Sequence, residues 1–333
     1  MLKMNRVWIF ELVMPIAFVI CQSPIQGVDM KKNLTHEARY QSLDSAAISI
    51  IDKLRARNDL SESSLSIEMK FIEALSQSEL GKFLMCCGGL NGYWTDYLVK
   101  YPERKTNDDV PLPEINDFLL NDAPSCLATQ QRYQIFKTEI RKRLRDDISL
   151  ATVPCGLMGE LLDLDYSGYQ NILLTGIDTD TESLQHAYTI ASELGLEKNC
   201  HLLNKNAWAL DIHYEFDILI SNGLNIYEYD DDKTIALYRE FFEALKPGGI
   251  LITSFLTPPP TIDRQSSWDM SQIDPHDLRK QKILFVDILE AKWQAYRTES
   301  EIQDQLETAG FTNCEIIYDK ARIFPTIVAK KPV

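Results

Sequence analysis

The sequence predicts an α/β fold: a doubly wound, mostly parallel seven-stranded sheet with an N-terminal helical accessory region. Three observations carry that expectation. Between Ile148 and Asp178, an apolar β-prone run, a tight loop with Gly156 and Gly159, a short helical pattern and a second apolar run follow in turn and stop on an acid. Beyond Asp178 strand and helix keep alternating, as in a parallel sheet covered by helices on both faces. After a turn at Gly310-Phe311, two further β-prone runs follow.

The 333 residues leave room for one large α/β domain and an accessory piece. Hydrophobic content of 45% and charged content of 25% are ordinary for a soluble globular protein. A net charge of −15 argues against a nucleic-acid partner, because phosphate binding needs a basic surface. The basic run Arg141-Lys142-Arg143-Leu144-Arg145 reads as a solvated helix face. Seven scattered cysteines, with an adjacent pair at Cys86-Cys87 and no CxxC, describe neither a disulfide framework nor a zinc site. Such a count fits a reducing compartment. The five histidines show no metal-ligand spacing, so no metal is expected.

Lys3 and Arg6 precede an apolar run, Val7 to Cys21, that has signal-peptide proportions. Glu11 and Pro15 interrupt the run, no small-x-small cleavage site follows, and it is short for a bilayer span. Residues 1–27 therefore stand apart as a signal, an anchor or an extension ahead of an alternative start at Met30. A cytoplasmic protein without stable membrane association is expected, with export or tethering through residues 7–21 as the alternative.

Residues 28–125 form the expected accessory region, opening on a linker to residue 34. From Thr35, a capping residue, the pattern Leu43, Ala46, Ala47, Ile50, Ile51, Leu54 gives one apolar helical face. A second helix runs from about Leu65 with Ile67, Phe71 and Leu75 on one side, and a third covers Glu79 to Cys87 and ends at Gly88-Gly89. Asn91-Gly92 makes a turn, and Tyr93-Trp94-Thr95-Asp96-Tyr97 follows as an aromatic cluster. Tyr93 and Trp94 either pack this small bundle or form a substrate-pocket wall. Lys100 to Ser125, with four prolines, reads as a connection.

The main domain spans residues 126–333. A helix over 126–145 leads into the first strand, 148–153, and the second strand covers 171–177. A helix from Thr181 to Leu196, capped by Thr179 or Thr181, precedes a short third strand at 200–203. The fourth strand is Phe216 to Ser221, followed by a helix from Asp230 to Lys246 that Pro247-Gly248-Gly249 terminates. Ile250 to Phe255 is the fifth strand, and Thr257-Pro258-Pro259-Pro260 forces the chain out of it. A helix or two span His276 to Leu306, before the closing runs 313–318 and 323–329.

Strand, glycine loop, helix, strand, acid is the order of a nucleotide-binding βαβ unit. Gly156 and Gly159 remove Cβ where backbone approaches a ligand, and the helix start offers unpaired N–H groups. Asp178, 22 residues after Gly156, can accept both hydroxyls of a ribose. Pro154 stands where a dinucleotide fingerprint has its first glycine.

Five stretches in order resemble a class I S-adenosylmethionine (SAM) dependent methyltransferase. They are the glycine loop, Asp178 after the second strand, Asn206-Ala207-Trp208 after the third, FDILIS as the fourth, and Lys246-Pro247-Gly248-Gly249 before the fifth. The resemblance covers roughly residues 126–331, and GLNGYWTDY, SNGLNIYE and SFLTPPP look like a bacterial subgroup of such enzymes. It implies that the last two runs form an antiparallel hairpin. Two positions depart from the family pattern. Thr152 replaces an acid that holds the amino group of the methionine moiety, and Asn206 replaces the acid that accepts from the adenine amino group.

The resemblance implies SAM as cofactor, held by Pro154, Cys155, Gly156, Asp178, Thr179, Asn206, Ala207, Trp208 and Asn222. Gly156 would approach the methionine portion, Asp178 the ribose, and Ala207 and Trp208 the adenine. Asn222, Asn225 and Tyr227 would face the transferable methyl, in a loop that lacks the Asn-Pro-Pro-Tyr form of adenine and glutamine N-methyltransferases. Trp268, in the loop after the fifth strand, would reach the same edge as a lid or sit in the core. The expected acceptor is small and partly apolar, with Tyr93, Trp94 and Trp268 as candidate contacts. An NAD-dependent oxidoreductase and a non-catalytic SAM- or nucleotide-binding module are the alternatives. Thr152 supports the latter. Oligomeric state is not fixed by the sequence.

Overall fold

The computed structural model describes residues 42–57, 61–105, 111–291 and 294–333. The apolar run at 7–21, the linker at 28–34 and the cap expected at Thr35 lie outside the described residues. Seven strands form one sheet: β1 (Ser149–Thr152), β2 (Leu173–Asp178), β3 (Cys200–Asn204), β4 (Phe216–Ser221), β5 (Leu245–Ser254), β6 (Thr312–Ile317) and β7 (Thr326–Lys330). Their order is β3-β2-β1-β4-β5-β7-β6, with β7 antiparallel to both neighbours. The doubly wound sheet with its antiparallel hairpin is thus as expected. β1 is buried along its whole length, as befits a continuous apolar run between two parallel neighbours.

Eleven helices are described: α1 (Leu43–Ala56), α2 (Glu62–Ser76), α3 (Glu79–Cys87), α4 (Gly92–Arg104), α5 (Glu114–Asp117), α6 (Pro124–Arg141), α7 (Gly159–Leu162), α8 (Thr181–Glu193), α9 (Asp231–Ala244), α10 (Pro275–Lys282) and α11 (Glu299–Ala309). α5 and α10 continue as π-helical turns, Phe118–Asp122 and Ile283–Ile288. One face of the sheet packs on α9 and α11 through Leu237, Phe241, Ile302 and Leu306. The other packs on α6 and α8 through Phe136, Ile140, Leu184 and Ala187.

Local chemistry moves several boundaries. α1 starts at Ser42, whose side chain accepts the Ser45 N–H. α2 starts at Ser61 and buries Met69, Ile72 and Leu75, while Ile67 points outward, because the helix is hemmed in by α1, α3 and α5. The expected connection over 100–125 holds the end of α4 and all of α5. Asp180, not Thr179 or Thr181, caps α8. α9 stops at Ala244, and Lys246 to Gly249 bulge out of β5 between the pairs Phe216–Leu245 and Ile218–Ile250. Gly248 takes φ +78° within that bulge. The basic run is partly paired: Lys142 and Arg143 bond Glu139, and Arg145 bonds Asp217.

The accessory helices share a core with the far end of the chain. Ile50, Leu54, Ile72, Phe83 and Leu98 pack with Leu284, Phe285, Ile288 and Leu289 of the π turn after α10. This layer lies over the carboxyl end of β1, through the contact of α4 with the glycine loop.

Candidate active site

At the end of β1 the chain passes through a cis Val153–Pro154 bond and a loop in which Gly156 has φ +47° and Met158 φ +57°. Asp178, the last residue of β2, is buried beside it. Its Oδ2 accepts the Gly156 N–H and its Oδ1 the Asp180 N–H, both at 3.0 Å. These bonds use two of roughly four acceptor positions of a carboxylate. The helix after the loop, α7, is a single turn, so it adds little of the dipole expected there.

The glycines answer to the protein's own packing. A Cβ on Gly92, the first residue of α4, would stand 3.3 Å from Ser183 Oγ and 3.6 Å from Gly156 Cα. The accessory layer therefore rests on the glycine loop backbone to backbone. A Cβ on Gly159 would come within 3.0 Å of Asp96 Oδ1, Lys100 Cε and Tyr133 Oη. Lys100 pairs there with Asp96 at 2.7 Å and Asp163 at 2.9 Å, and Tyr133 also bonds Asp163. So Gly159 makes room for an ion-pair network rather than for a ligand.

Thr152 does not stand alone. Its hydroxyl donates to Oε1 of Glu160 at 2.7 Å, and both residues are buried. Burial pushes the Glu160 carboxyl above its ordinary range, against the opposing bond from Thr152. A carboxylate thus reaches the end of β1 from α7. Sequence reasoning missed Glu160; the one signal was an acid just past the loop, opening a helix. Cys155 is buried, and desolvation, with Asp178 and Glu160 nearby, holds its thiol far above the usual range. It is a packed thiol, not a thiolate.

The loops after β3 and β4 reach the same edge. Asn206 Oδ1 accepts the Trp208 N–H, which spends one of its two acceptor positions on the turn. Ala207 is buried, and the Trp208 indole is half-buried and bonds the Lys233 carbonyl. Thr179 is exposed at the rim, its carbonyl accepting from Asn204. Asn225 is buried and committed: its Nδ2 donates to Tyr238 Oη and its carbonyl accepts from Arg297. Tyr227 is 57% exposed. Trp94 is buried in the accessory core, in edge-on contact with Tyr93 and Tyr97, as the packing alternative has it. Trp268 is pinned, its indole N–H donating to the Thr257 hydroxyl at 2.9 Å, and it packs against the cluster of Ile226, Leu256 and Phe324.

Four buried polar atoms without hydrogen-bond partners belong to residues at or near this edge, Asn91 Nδ2 beside Gly92, Arg132 Nε, and Oδ1 of Asn222 and Asn225, while others such as Glu68 Oε2, Asn116 Oδ1 and Gln305 Oε1 belong to residues elsewhere. Stranding such atoms in a dry interior is costly, and a polar ligand at this edge would offset that cost for the four. Among the described residues no group of three or more His, Cys, Asp or Glu is arranged to hold a metal ion. Two clefts, about 410 and 320 Å³, open at the opposite edge, around Ile172 and Asn199 and around Asp217 and Gly249. They lie away from the carboxyl ends where open α/β sheets bind ligands.

A methyltransferase-domain family model matches residues 155–301, from the glycine loop to α11. The β3-β2-β1-β4-β5-β7-β6 order is that of class I SAM-dependent methyltransferases. The chain carries a methyltransferase domain over the matched residues. It is similar to a possible exported protein from Bordetella parapertussis, with 40% identity, a TM-score of 0.82, and coverage of 87% of this chain and 96% of that one. It also matches a SAM-dependent methyltransferase from Methanosarcina mazei at 20% identity and TM-score 0.43, covering 59% of this chain and 97% of that one. A third match is magnesium protoporphyrin IX methyltransferase from Synechocystis PCC 6803, at 13% identity and TM-score 0.47, covering 72% and 94%. Likeness at the level of the last two says nothing of acceptor or site. No curated protein matches.

SAM is the cofactor of this family, and the residues present fit it. A methyltransferase of this class needs a carboxylate at the end of β2, and Asp178 is there. It needs an acid near the end of β1, and the Glu160 carboxyl stands there beside Thr152. It needs polar groups at the end of β4, where Asn222 Oδ1 is buried and unpartnered.

Proposed function

We propose that the chain transfers a methyl group from SAM to a small, partly apolar acceptor over the carboxyl ends of β1 and β4. The observation that carries this reading is the convergence of three groups: the Gly156 amide, the Asp178 carboxylate and the buried Thr152–Glu160 pair. Asp178 holds the ribose hydroxyls. The Glu160 carboxylate, steadied by Thr152, takes the amino group of the methionine moiety. Ala207 and Trp208 flank the adenine, and Asn222 faces the acceptor. Residues 126–333 act as the SAM-binding domain and 28–125 as its cap.

When bound, SAM supplies an electrophilic methyl on a sulfonium, so no strong base is demanded of the protein. The chain's own part is alignment and exclusion of water. The layer resting on Gly156 covers the cradle, and the Asn222–Tyr227 loop orients the acceptor. The antiparallel β7 favours this reading over an NAD-dependent oxidoreductase. Glu160 answers the missing acid at position 152, the one feature that pointed to a non-catalytic module. Six described cysteines are free thiols, which supports a reducing, cytoplasmic setting; fractionation that finds the chain exported would overturn that assignment.

Calorimetric titration of the full chain with S-adenosylhomocysteine, SAM and NAD tests the reading. Binding of both sulfur nucleosides, followed by detectable methyl transfer across an acceptor panel, is expected. NAD binding in their place would overturn it.

A further inference from the structure

Arg132, on α6, is an unusual cation. The residue is 6% exposed, and no described carboxylate forms an ion pair with it; Asp319 and Glu160 act on it only through space. Its Nη1 donates to Ser254 Oγ at 3.1 Å, its flat face lies 4.7 Å over the Phe324 ring, and its Nε has no partner. Burial draws the guanidinium down to about 10, which leaves it charged at neutral pH. Arg297, whose Nε is likewise without a partner, differs in having a carboxylate on its terminal nitrogens. It is 4% exposed, and it bonds the Asn225 and Glu228 carbonyls and Thr234 Oγ1 and pairs with Asp231. Burying a charge without a directly paired carboxylate is costly, and a ligand oxyanion on the guanidinium would offset that cost.

The position of Arg132 says which ligand. Ser254 ends β5, and Gly223 follows β4; a Cβ on Gly223 would stand only 3.5 Å from Arg132 Nη1. The guanidinium therefore sits at the carboxyl edge between β4 and β5, next to Gly223, whose chain neighbour Asn222 has a buried, unpartnered Oδ1. The neighbouring acids are committed elsewhere. Asp319 accepts the Ile323 and Phe324 N–H groups, and Glu160 is bonded by Thr152. We propose that Arg132 is the receptor for an oxyanion on the methyl acceptor, so that the substrate is a small acid whose charged end docks on the guanidinium while Asn222 faces its reacting end. The Phe324 ring and the Trp268 cluster behind it give the acid an apolar backing. This rests on the methyl-transfer reading, and the experiment separates the two.

The full chain, saturated with S-adenosylhomocysteine, is screened by thermal shift against benzoate, phenylacetate, succinate and inorganic phosphate, for wild type, Arg132→Gln and Arg132→Lys. At least one oxyanion is expected to stabilise the wild type. In Arg132→Gln its affinity falls at least about thirtyfold, the loss expected when one partner of a buried charge pair is removed. Arg132→Lys, which keeps the charge, recovers part of it, and S-adenosylhomocysteine affinity stays within about twofold in both. Protection by phosphate alone would identify a phosphorylated acceptor rather than a carboxylic acid, still on Arg132. No oxyanion effect on a wild type that binds S-adenosylhomocysteine overturns the proposal, as does protection that survives in Arg132→Gln. Should the variants fail to fold, the wild-type screen decides alone. Failure of S-adenosylhomocysteine to bind, with Arg132-dependent oxyanion protection intact, would overturn methyl transfer and leave the anion site standing.

Discussion

Thr152 and Glu160, eight residues apart, meet at the end of β1, where the threonine hydroxyl donates a 2.7 Å hydrogen bond to the glutamate Oε1. Burial raises the Glu160 carboxyl, so ionising it costs more in the folded protein than in the unfolded chain. The sign follows: its contribution to stability is present below the unfolded value of about 4.3 and is lost as pH rises through the folded value. A ligand ammonium reverses that cost by favouring the ionised form. S-adenosylhomocysteine affinity should therefore rise as pH climbs through the folded value, and Glu160→Gln should flatten the rise and weaken binding on the order of tenfold. Calorimetry across that rise checks it; an unaltered pH profile in the variant would remove Glu160 from the site.

Asp178→Ala is a poor probe of the ribose, because it would also strand the Gly156 and Asp180 N–H groups, at about 1–3 kcal/mol each. Asp178→Asn keeps one acceptor oxygen and removes the charge. We expect Asp178→Asn to lose S-adenosylhomocysteine binding with a modest drop in Tm, and Asp178→Ala to lose both binding and stability. Retained affinity in Asp178→Asn would refute the ribose assignment.

Gly159→Ala should destabilise by about 1–3 kcal/mol, since its Cβ would crowd Asp96, Lys100 and Tyr133 at 3.0 Å. Gly168→Ala is the control. Nothing lies within 4 Å of a Cβ there, so urea unfolding should find it neutral or slightly stabilising.

Asp217 anchors the opposite edge of the sheet. Burial alone would raise its carboxyl, but hydrogen bonds from Lys246, Ser149 and Arg145 pull it down to about 2. Its stabilisation is therefore present above about pH 4 and lost as pH falls towards about pH 2. Its cationic partners are substantially exposed, so the effect is discounted to on the order of 1 kcal/mol. In Asp217→Asn the fall in Tm over that interval should shrink; a fall as steep as that of the wild type would show that other carboxylates drive it.

The parallel strands were legible because a buried strand writes itself as an unbroken apolar run, and the end of β2 because its run stops on Asp178. The closing hairpin was legible as two short runs after a glycine turn. Glu160 was not, because it reaches Thr152 through a one-turn helix entered from Met158 at φ +57°, a bend with no periodic signature. Arg132 was not, because on α6 it reads as one more surface cation; Phe324, nearly two hundred residues on, folds over it. Trp94 had two readings in sequence, and only the positions of Phe83 and Tyr97 distinguish them.

The shared core of the accessory helices and the π turn after α10 bears on how this chain can be dissected. Leu284, Phe285, Ile288 and Leu289 lie in the segment matched as a methyltransferase domain, but they share one buried cluster with Ile50, Leu54, Ile72 and Leu98 of the accessory helices. A truncation that begins near residue 126 would carry a bare greasy ridge into solvent, a recipe for self-association rather than a minimal enzyme. The front of the chain and its catalytic half are in that sense inherited together: neither can be transplanted onto another scaffold without bringing the other.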